Sequence, residues 1–139
     1  MRFVVASDHA GRKVKDKFLK VLEDLDVEFE DLSPKNSAGD DYPDFAGLVA
    51  RQVGEDFGFL ACGTGIGISI AANRHKNVRA ALAYNSDDAR MSRAHNNANV
   101  LVLSGSKEFS EEDIKGIVVE FLETKFEGGR HKRRVDKLS

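Results

Sequence analysis

Cysteine occurs once in the 139 residues, at Cys62; tryptophan is absent and proline appears only twice. A single thiol excludes an internal disulfide, and with it the stapled scaffolds of small secreted domains. It also excludes thiolate-cluster metal sites and fits a reducing cytosol. No apolar run reaches the ~20 residues of a membrane span, and the N-terminus carries no apolar leader pattern. A cytoplasmic location without a membrane partner is therefore expected. Net charge is small, −2, but unevenly spread. Residues 128–139 hold five Lys/Arg against one Asp, a net +4, which leaves −6 on residues 1–127. A basic C-terminal tail on an acidic body suits a small anion such as a phosphate. Nucleic acid is not an expected partner, because the positive charge is confined to one short segment without stacking aromatics.

With 41% apolar and 32% charged residues, the composition is that of a globular protein, and the length suits one domain over residues 1–139. Short apolar segments alternate with helical patterns, without repeats or linkers. Residues 3–6 form an apolar strand ending at Ser7-Asp8-His9, and Val14, Phe18, Val21, Leu22 and Leu25 share one helical face. Residues 27–32 read as a weaker strand, followed by a polar loop to Asp41. Pro43 suits the first turn of a helix whose apolar face holds Phe45, Leu48, Val49 and Val53. A third strand enters Cys62, and the helix after it is expected to use Ile70, Ala71 and Ala72 and to stop at Asn73 or Asn77. Residues 78–83, 86–95 and 100–103 read as strand, helix and strand. Ser110 and Asp113 form an acidic capping box before a helix that faces Ile114, Ile117, Val118, Phe121 and Leu122 to the core. Gly128-Gly129 breaks the chain before the tail. The pattern predicts an α/β fold, a Rossmann-like three-layer sandwich with a five-stranded parallel sheet and helices on both faces.

Ligands of such sheets bind beyond the carboxyl ends of the strands, which gathers Asp8, His9, Cys62 and Asn85. Residues 58–73 read as strand, glycine-rich turn and helix, an arrangement that presents free backbone N–H groups to a phosphate or oxyanion beside Cys62. The spacing Gly63-x-Gly65-x-Gly67 matches neither the dinucleotide fingerprint nor the P-loop. Taken alone, Cys62 suits an inert core thiol as well as a partly accessible reactive one. Asp8 suits a helix cap as well as a site, and His95 suits charge stabilisation at a helix C-terminus. Asp40, Asp41 and Asp44 lack metal-ligand spacing. Together the groups describe a polyol-phosphate site: arginines for phosphate, His and Asp for hydroxyls, a thiol and an anion cup for proton transfer.

Five segments carry a family resemblance: Ser7-Asp8-His9-Ala10-Gly11; Asp41-Tyr42-Pro43-Asp44; the run from Cys62 to Asn73; that from Ser92 to Val100; and that from Gly128 to Val135. In this order they resemble the type B ribose-5-phosphate isomerases, whose wider family includes galactose-6-phosphate isomerase subunits. The resemblance covers essentially the whole chain. It implies interconversion of ribose 5-phosphate and ribulose 5-phosphate, in the pentose phosphate pathway, through a cis-enediolate with no metal and no cofactor. It makes Cys62 the base, with Thr64 beside it. The enediolate cup it implies is the backbone N–H groups of Gly65 to Ser69, with Gly63, Gly65, Ile66, Gly67 and Ser69 as substrate contacts. His95 with Asp8 resembles the ring-opening group, His9, Arg130 and Arg134 the phosphate clamp, and Tyr42 and Asn96 line the sugar. It implies a homodimer, with pairing into a tetramer left open, whose site is completed by His95 and Asn96 of the other subunit. Ser104-Gly105-Ser106-Lys107 departs from the family pattern, in which an Arg near position 106 helps hold phosphate; Lys107 is a candidate point charge in its place. A hexose 6-phosphate substrate (allose or galactose type) and a non-catalytic sugar-phosphate-binding module are the alternative readings.

Overall fold

The computed structural model describes residues 2–138, so the terminal residues of the expected 1–139 domain lie outside it. In chain order the elements are β1 (Phe3–Ser7), α1 (Arg12–Asp24), β2 (Phe29–Asp31), α2 (Tyr42–Gln52), β3 (Phe57–Cys62) and α3 (Ile66–Asn73), then β4 (Ala80–Leu82), α4 (Ser86–Asn96), β5 (Val100–Ser104), α5 (Glu111–Glu123) and α6 (Arg130–Asp136). The strands form one parallel sheet in the order β2-β1-β3-β5-β4. The expected three-layer α/β architecture is the one observed.

β1, β3 and β5 are buried along their whole length, as strands covered on both faces must be. Alternate side chains serve opposite layers. Phe3 and Val5 join Phe18, Phe59, Leu101 and Phe121 in one core; Val4 and Ala6 join Val49, Leu60, Ile68 and Val102 in the other. Phe18 stacks on Phe59 at 3.8 Å and Phe3 meets Phe18 edge-on at 5.2 Å. Burial of each such ring is worth about 1.5–3 kcal/mol. Ser110 and Asp113 make the reciprocal cap read from the sequence: the Asp113 amide donates to Ser110 Oγ at 3.0 Å and the Ser110 amide to Asp113 Oδ2 at 2.9 Å. No helix among the described residues is long and apolar enough to cross a membrane.

Three sequence expectations are corrected. In α3, Ile68 and Ala72 face the sheet, whereas Ile70 is 61% exposed. The Ile-x-Ile-x-Ile alternation is compatible with either helical phase, and the turn at Gly65 decides between them. In α2, Ala46, Val49, Ala50 and Val53 are buried, with Phe45 and Leu48 only partly covered. β2 and β4 are edge strands of three residues each, shorter than the six expected of each.

β2 owes its position to a buried cation. Lys15 of α1 is fully buried, its Nζ donating to both carboxylate oxygens of Asp31 (2.9 and 3.0 Å) and to the Ser33 carbonyl (2.6 Å). Ser33 Oγ accepts the Ser7 amide at 3.0 Å, so the same network fixes the end of β1. Removing one partner of a buried pair leaves the other uncompensated. Lys15→Ala is therefore expected to cost about 3 kcal/mol in urea unfolding, with Asp31→Asn recovering part of the loss in the double variant. A loss under about 1 kcal/mol would show that the network adds little to stability.

Candidate active site

The order of strands reverses about β1 and β3, with β2 on one side and β5 and β4 on the other. The crevice at their carboxyl ends is the usual ligand position of an open α/β sheet. Cys62 is the last residue of β3 and Asp8 follows the last residue of β1; the Asp8 amide donates to the Ala61 carbonyl at 3.3 Å. Asp8 is 5% exposed and caps the short 3₁₀ turn after β1, its Oδ1 accepting the Gly11 amide at 2.9 Å. Its capping and its place beside the Cys62 loop are thus both realised. Cys62 is 4% exposed, more enclosed than the sequence suggests, because its side chain belongs to the core under α2 and α3.

After Cys62 the chain turns at Gly65, whose φ of +79° places it in the left-handed region that side chains disfavour. That turn starts α3 with its first amides facing outward. Ile66 donates its amide to Thr64 Oγ1 at 3.2 Å, and Ser69 donates both its amide (3.2 Å) and its hydroxyl (2.7 Å) to the Gly65 carbonyl. The amides of Gly65, Gly67 and Ile68 have no partner among the described residues. The unengaged cup is therefore narrower than the run from Gly65 to Ser69. Thr64 accepts a bond from Ile66, so its own hydroxyl proton is free to be donated. The ring of Tyr42, at the start of α2, lies against Gly67, where a Cβ would fall 2.6 Å from Tyr42 Cζ.

His9 stands at the same end, in the 3₁₀ turn, with its Nδ1 2.7 Å from Asp40 Oδ1. The hydrogen bond to Asp40 raises the imidazole pKa; burial opposes this, and the negative charges of Asp40 and Asp8 add to it. Burial works against ionisation of Asp40, but hydrogen bonds from Asn36, the His9 amide, the His9 ring and the Ser37 amide outweigh it and bring its carboxyl to about 2. Ser106, near the position where the family pattern has an Arg, donates its amide to the Gly63 carbonyl at 2.8 Å and its hydroxyl to the same oxygen. The Lys107 ammonium lies 5.2 Å over the Phe109 ring.

The other expected residues stand at the opposite end of the sheet. α4 leaves the carboxyl end of β4 and runs back for 11 residues, ~16 Å at the rise of an α-helix, so that His95 and Asn96 close it near the start of β5. His95 stacks on His131 of α6, ring centroids 4.1 Å apart and planes within 12°. Glu127 sits between them, 3.9 Å from His95 Nε2 and 3.7 Å from His131 Nε2. Burial lowers the His131 pKa, as do His95, Arg130 and Arg134, against Glu127. Arg130 and Arg134 lie exposed on the same short helix. The fold thus divides the expected residues between two ends: Asp8, His9, Tyr42 and the Cys62 loop at one, and His95, Asn96, Arg130 and Arg134 at the other.

Two groups of three potential metal-ligand atoms lie within 4.8 Å of each other, His95–Glu127–His131 and Asp8–His9–Asp40. In the first, the stacked imidazoles keep their in-plane lone pairs in separate, near-parallel planes, which do not favour convergence on one ion. In the second, hydrogen bonds already occupy the carboxylates. Sequence reasoning gave no role to Asp40, Glu127 or His131. Glu127 and His131 flank Gly128-Gly129 in a segment whose charge obscures them. Asp40 reaches His9 from 31 positions away, and no local pattern signals that contact.

A family model described as Ribose/Galactose Isomerase matches residues 3–138. The chain is 47% identical over 139 residues to a probable ribose-5-phosphate isomerase B of Mycoplasma genitalium, covering 96% of this chain and 91% of that protein. It is 42% identical over 135 residues to the ribose-5-phosphate isomerase B of Escherichia coli, covering 95% and 90%. The crystal structure of a ribose 5-phosphate isomerase of Thermotoga maritima superposes with a TM-score of 0.92 at 45% identity, covering 99% of this chain and 96% of that one. The M. genitalium enzyme with bound ribulose-5-phosphate gives a TM-score of 0.89 at 44% identity, with 99% and 93% covered.

Proposed function

The chain belongs to the ribose/galactose isomerase family, and on that premise we propose that it interconverts D-ribose 5-phosphate and D-ribulose 5-phosphate, the whole chain acting as one catalytic domain. The observation that carries the reading is the thiol of Cys62 at the end of β3, beside unengaged amides at the start of α3. A thiolate there takes the proton from C2 of the open-chain aldose. The C–H electron pair becomes the C1–C2 double bond, and negative charge moves to the oxygen on C1. The amides of Gly65, Gly67 and Ile68, with the Thr64 hydroxyl, stabilise that oxyanion as it forms. Returning the proton to C1, while the proton of the C2 hydroxyl passes to the oxygen on C1, yields the ketose. A single group that both takes and returns the proton suits a reaction run in either direction.

Opening the furanose requires an acid–base pair, of which the Cys62 end supplies Asp8, while His9 there is given to the phosphate. His95 has the chemistry but lies at the far end of its own chain, so His95 and Asn96 of the partner subunit complete the site in a two-fold dimer. Arg130 and Arg134 of the partner subunit come with them and meet the phosphate opposite His9, because α6 packs beside His95. Exposed apolar side chains support such an interface: Tyr42, Ile66, Ile70, Tyr84 and Met91 all lie on α2, α3, α4 or the turn before α4. Closing the cup by association also excludes water from the enediolate. Pairing of dimers into tetramers is a further step that the same surface does not require. Cytoplasmic location follows from the reaction's phosphorylated substrates.

The direct test is turnover of ribose 5-phosphate by the purified protein in excess EDTA, beside a six-carbon analogue. Faster pentose conversion, unaffected by the chelator, is expected; turnover of the hexose alone would move the substrate and keep the chemistry. Cys62→Ala is expected to lower kcat by about 10²–10⁴ while ligand binding persists. Mixing Cys62→Ala with His95→Ala protomers, each inactive alone, should restore about a quarter of the wild-type rate, because half the dimers then hold one intact site of two. No recovery on subunit exchange would place both residues in a site within one chain.

A further inference from the structure

The loop between β2 and α2 closes on His9 through one carboxylate. Asp40 Oδ1 accepts both the His9 amide, at 2.9 Å, and the ring Nδ1, at 2.7 Å. Its other oxygen accepts Asn36 Nδ2 at 2.9 Å and the Ser37 amide at 3.3 Å. Asn36 in turn donates to the Ser7 carbonyl at 2.9 Å, so the assembly is anchored to the end of β1. Asp40 is thus held on both oxygens, and the ring is held by Asp40 alone. Two cations near this end are engaged elsewhere: Arg12 donates to Asn36 at 3.3 Å and lies 3.4 Å from Asp16, and the Lys107 ammonium sits over Phe109. The second ring nitrogen of His9, Nε2, has no partner among the described residues.

An imidazole that gives its Nδ1–H to a carboxylate presents Nε2 on its opposite side. Neutral, that nitrogen offers a lone pair and repels a phosphoryl oxygen; protonated, it offers a charge-assisted donor. We propose that Asp40 is the positioning residue for phosphate binding, fixing the His9 ring by Nδ1 so that Nε2–H is its donor to the phosphoryl group of the substrate. The assignment rests on the sugar-phosphate reading above. Asp40 touches no reacting atom; it acts through His9, as the carboxylate partner of a metal-bound histidine acts through its ring.

The pH dependence follows from the two charges that face the ring, Asp8 from the 3₁₀ turn and Asp40 from the β2–α2 loop, both of which favour the cation. A raised imidazole pKa keeps the donor present at low pH and loses it only as pH climbs through that raised value. Without Asp40 the loss should begin near the ordinary value of about 6.5.

The experiment pairs NMR titration of the His9 ring with kinetics on ribose 5-phosphate at pH 6 and pH 8, in the full-length wild type and in Asp40→Asn and Asp40→Glu. In Asp40→Asn the His9 midpoint should fall towards about 6.5, and KM should rise about tenfold at pH 8 but under about twofold at pH 6, with kcat little changed. Asp40→Glu should recover part of both effects. The apparent Kd for inorganic phosphate should follow the same pattern as KM. An equal rise of KM at both pH values, or an unmoved His9 midpoint, would reduce Asp40 to a loop tie and overturn the proposal. In the wild type alone, a His9 midpoint at or below about 6.5 would also overturn it, whatever the variants do. A wild type inactive on ribose 5-phosphate whose phosphate affinity still shows the Asp40-dependent pH change would support the His9–Asp40 pair and refute the substrate assignment.

Discussion

The carbonyl oxygen of Gly63 accepts three hydrogen bonds from the end of the adjacent strand β5 and the turn after it: the Ser106 amide at 2.8 Å, the Ser104 hydroxyl at 3.0 Å and the Ser106 hydroxyl. One residue earlier, the Cys62 carbonyl accepts the Gly105 amide at 2.9 Å, and the Ala61 carbonyl accepts Asp8. The loops after β1, β3 and β5 are therefore bonded to one another through main chain, each bond worth about 1 kcal/mol net. Such contact requires bare backbone. A Cβ at Gly105 would fall 2.4 Å from the Ala10 carbonyl oxygen, and one at Gly11 the same distance from that of Ala61. Cys62, Asp8 and the amides of α3 hold their relative places because these crossings leave no room for adjustment.

The same junction explains Ser106. In a family pattern with arginine nearby, a serine reads as a lost phosphate contact. Here its amide and hydroxyl both close the Cys62 loop, so the residue serves the shape of the cup. A hydrogen-bond donor for an anion at this end is offered instead by His9, whose pKa the hydrogen bond to Asp40 raises and whose ring that residue, from a different loop, holds in place. The two observations are linked mechanically: β5 shapes the oxyanion end of the crevice, while the Lys15–Asp31–Ser33 network brings in the segment that carries Asp40.

Much of this was legible in the sequence, for identifiable reasons. Strand order along the chain, the buried runs of β1, β3 and β5 and the Ser110–Asp113 cap follow from local pattern, which a parallel sheet covered on both faces imposes strongly. Cys62, Asp8 and His9 were placed at one end by the rule that strand carboxyl ends gather ligands. What stayed hidden depends on tertiary closure. The phase of α3 is set by a left-handed glycine, and Ile66, Ile68 and Ile70 look alike until that turn is known. Asp40 reads as one acid among several until the loop folds over His9. The stacking of His131 on His95 joins two helices whose sequences give no sign of each other.

Separation of Cys62 from His95 is a consequence of topology. In a parallel α/β chain every helix carries the chain back from the carboxyl ends of the strands, so groups at a helix C-terminus face the opposite edge from groups at a strand C-terminus. No local rearrangement brings the two together across a sheet of packed strands. In the proposed dimer a second copy, turned about a two-fold axis, sets one chain's helix end against the other's strand end, and that symmetry would make two such sites at once. The exposed isoleucines of α3, Ile66 and Ile70, would be covered in that dimer, and they sit on the helix whose first amides are the proposed oxyanion cup. Burying them by association would hold that cup rigid and dry in the same step. In the proposed dimer the energy of assembly and the preorganisation of the site come from the same face of the same helix.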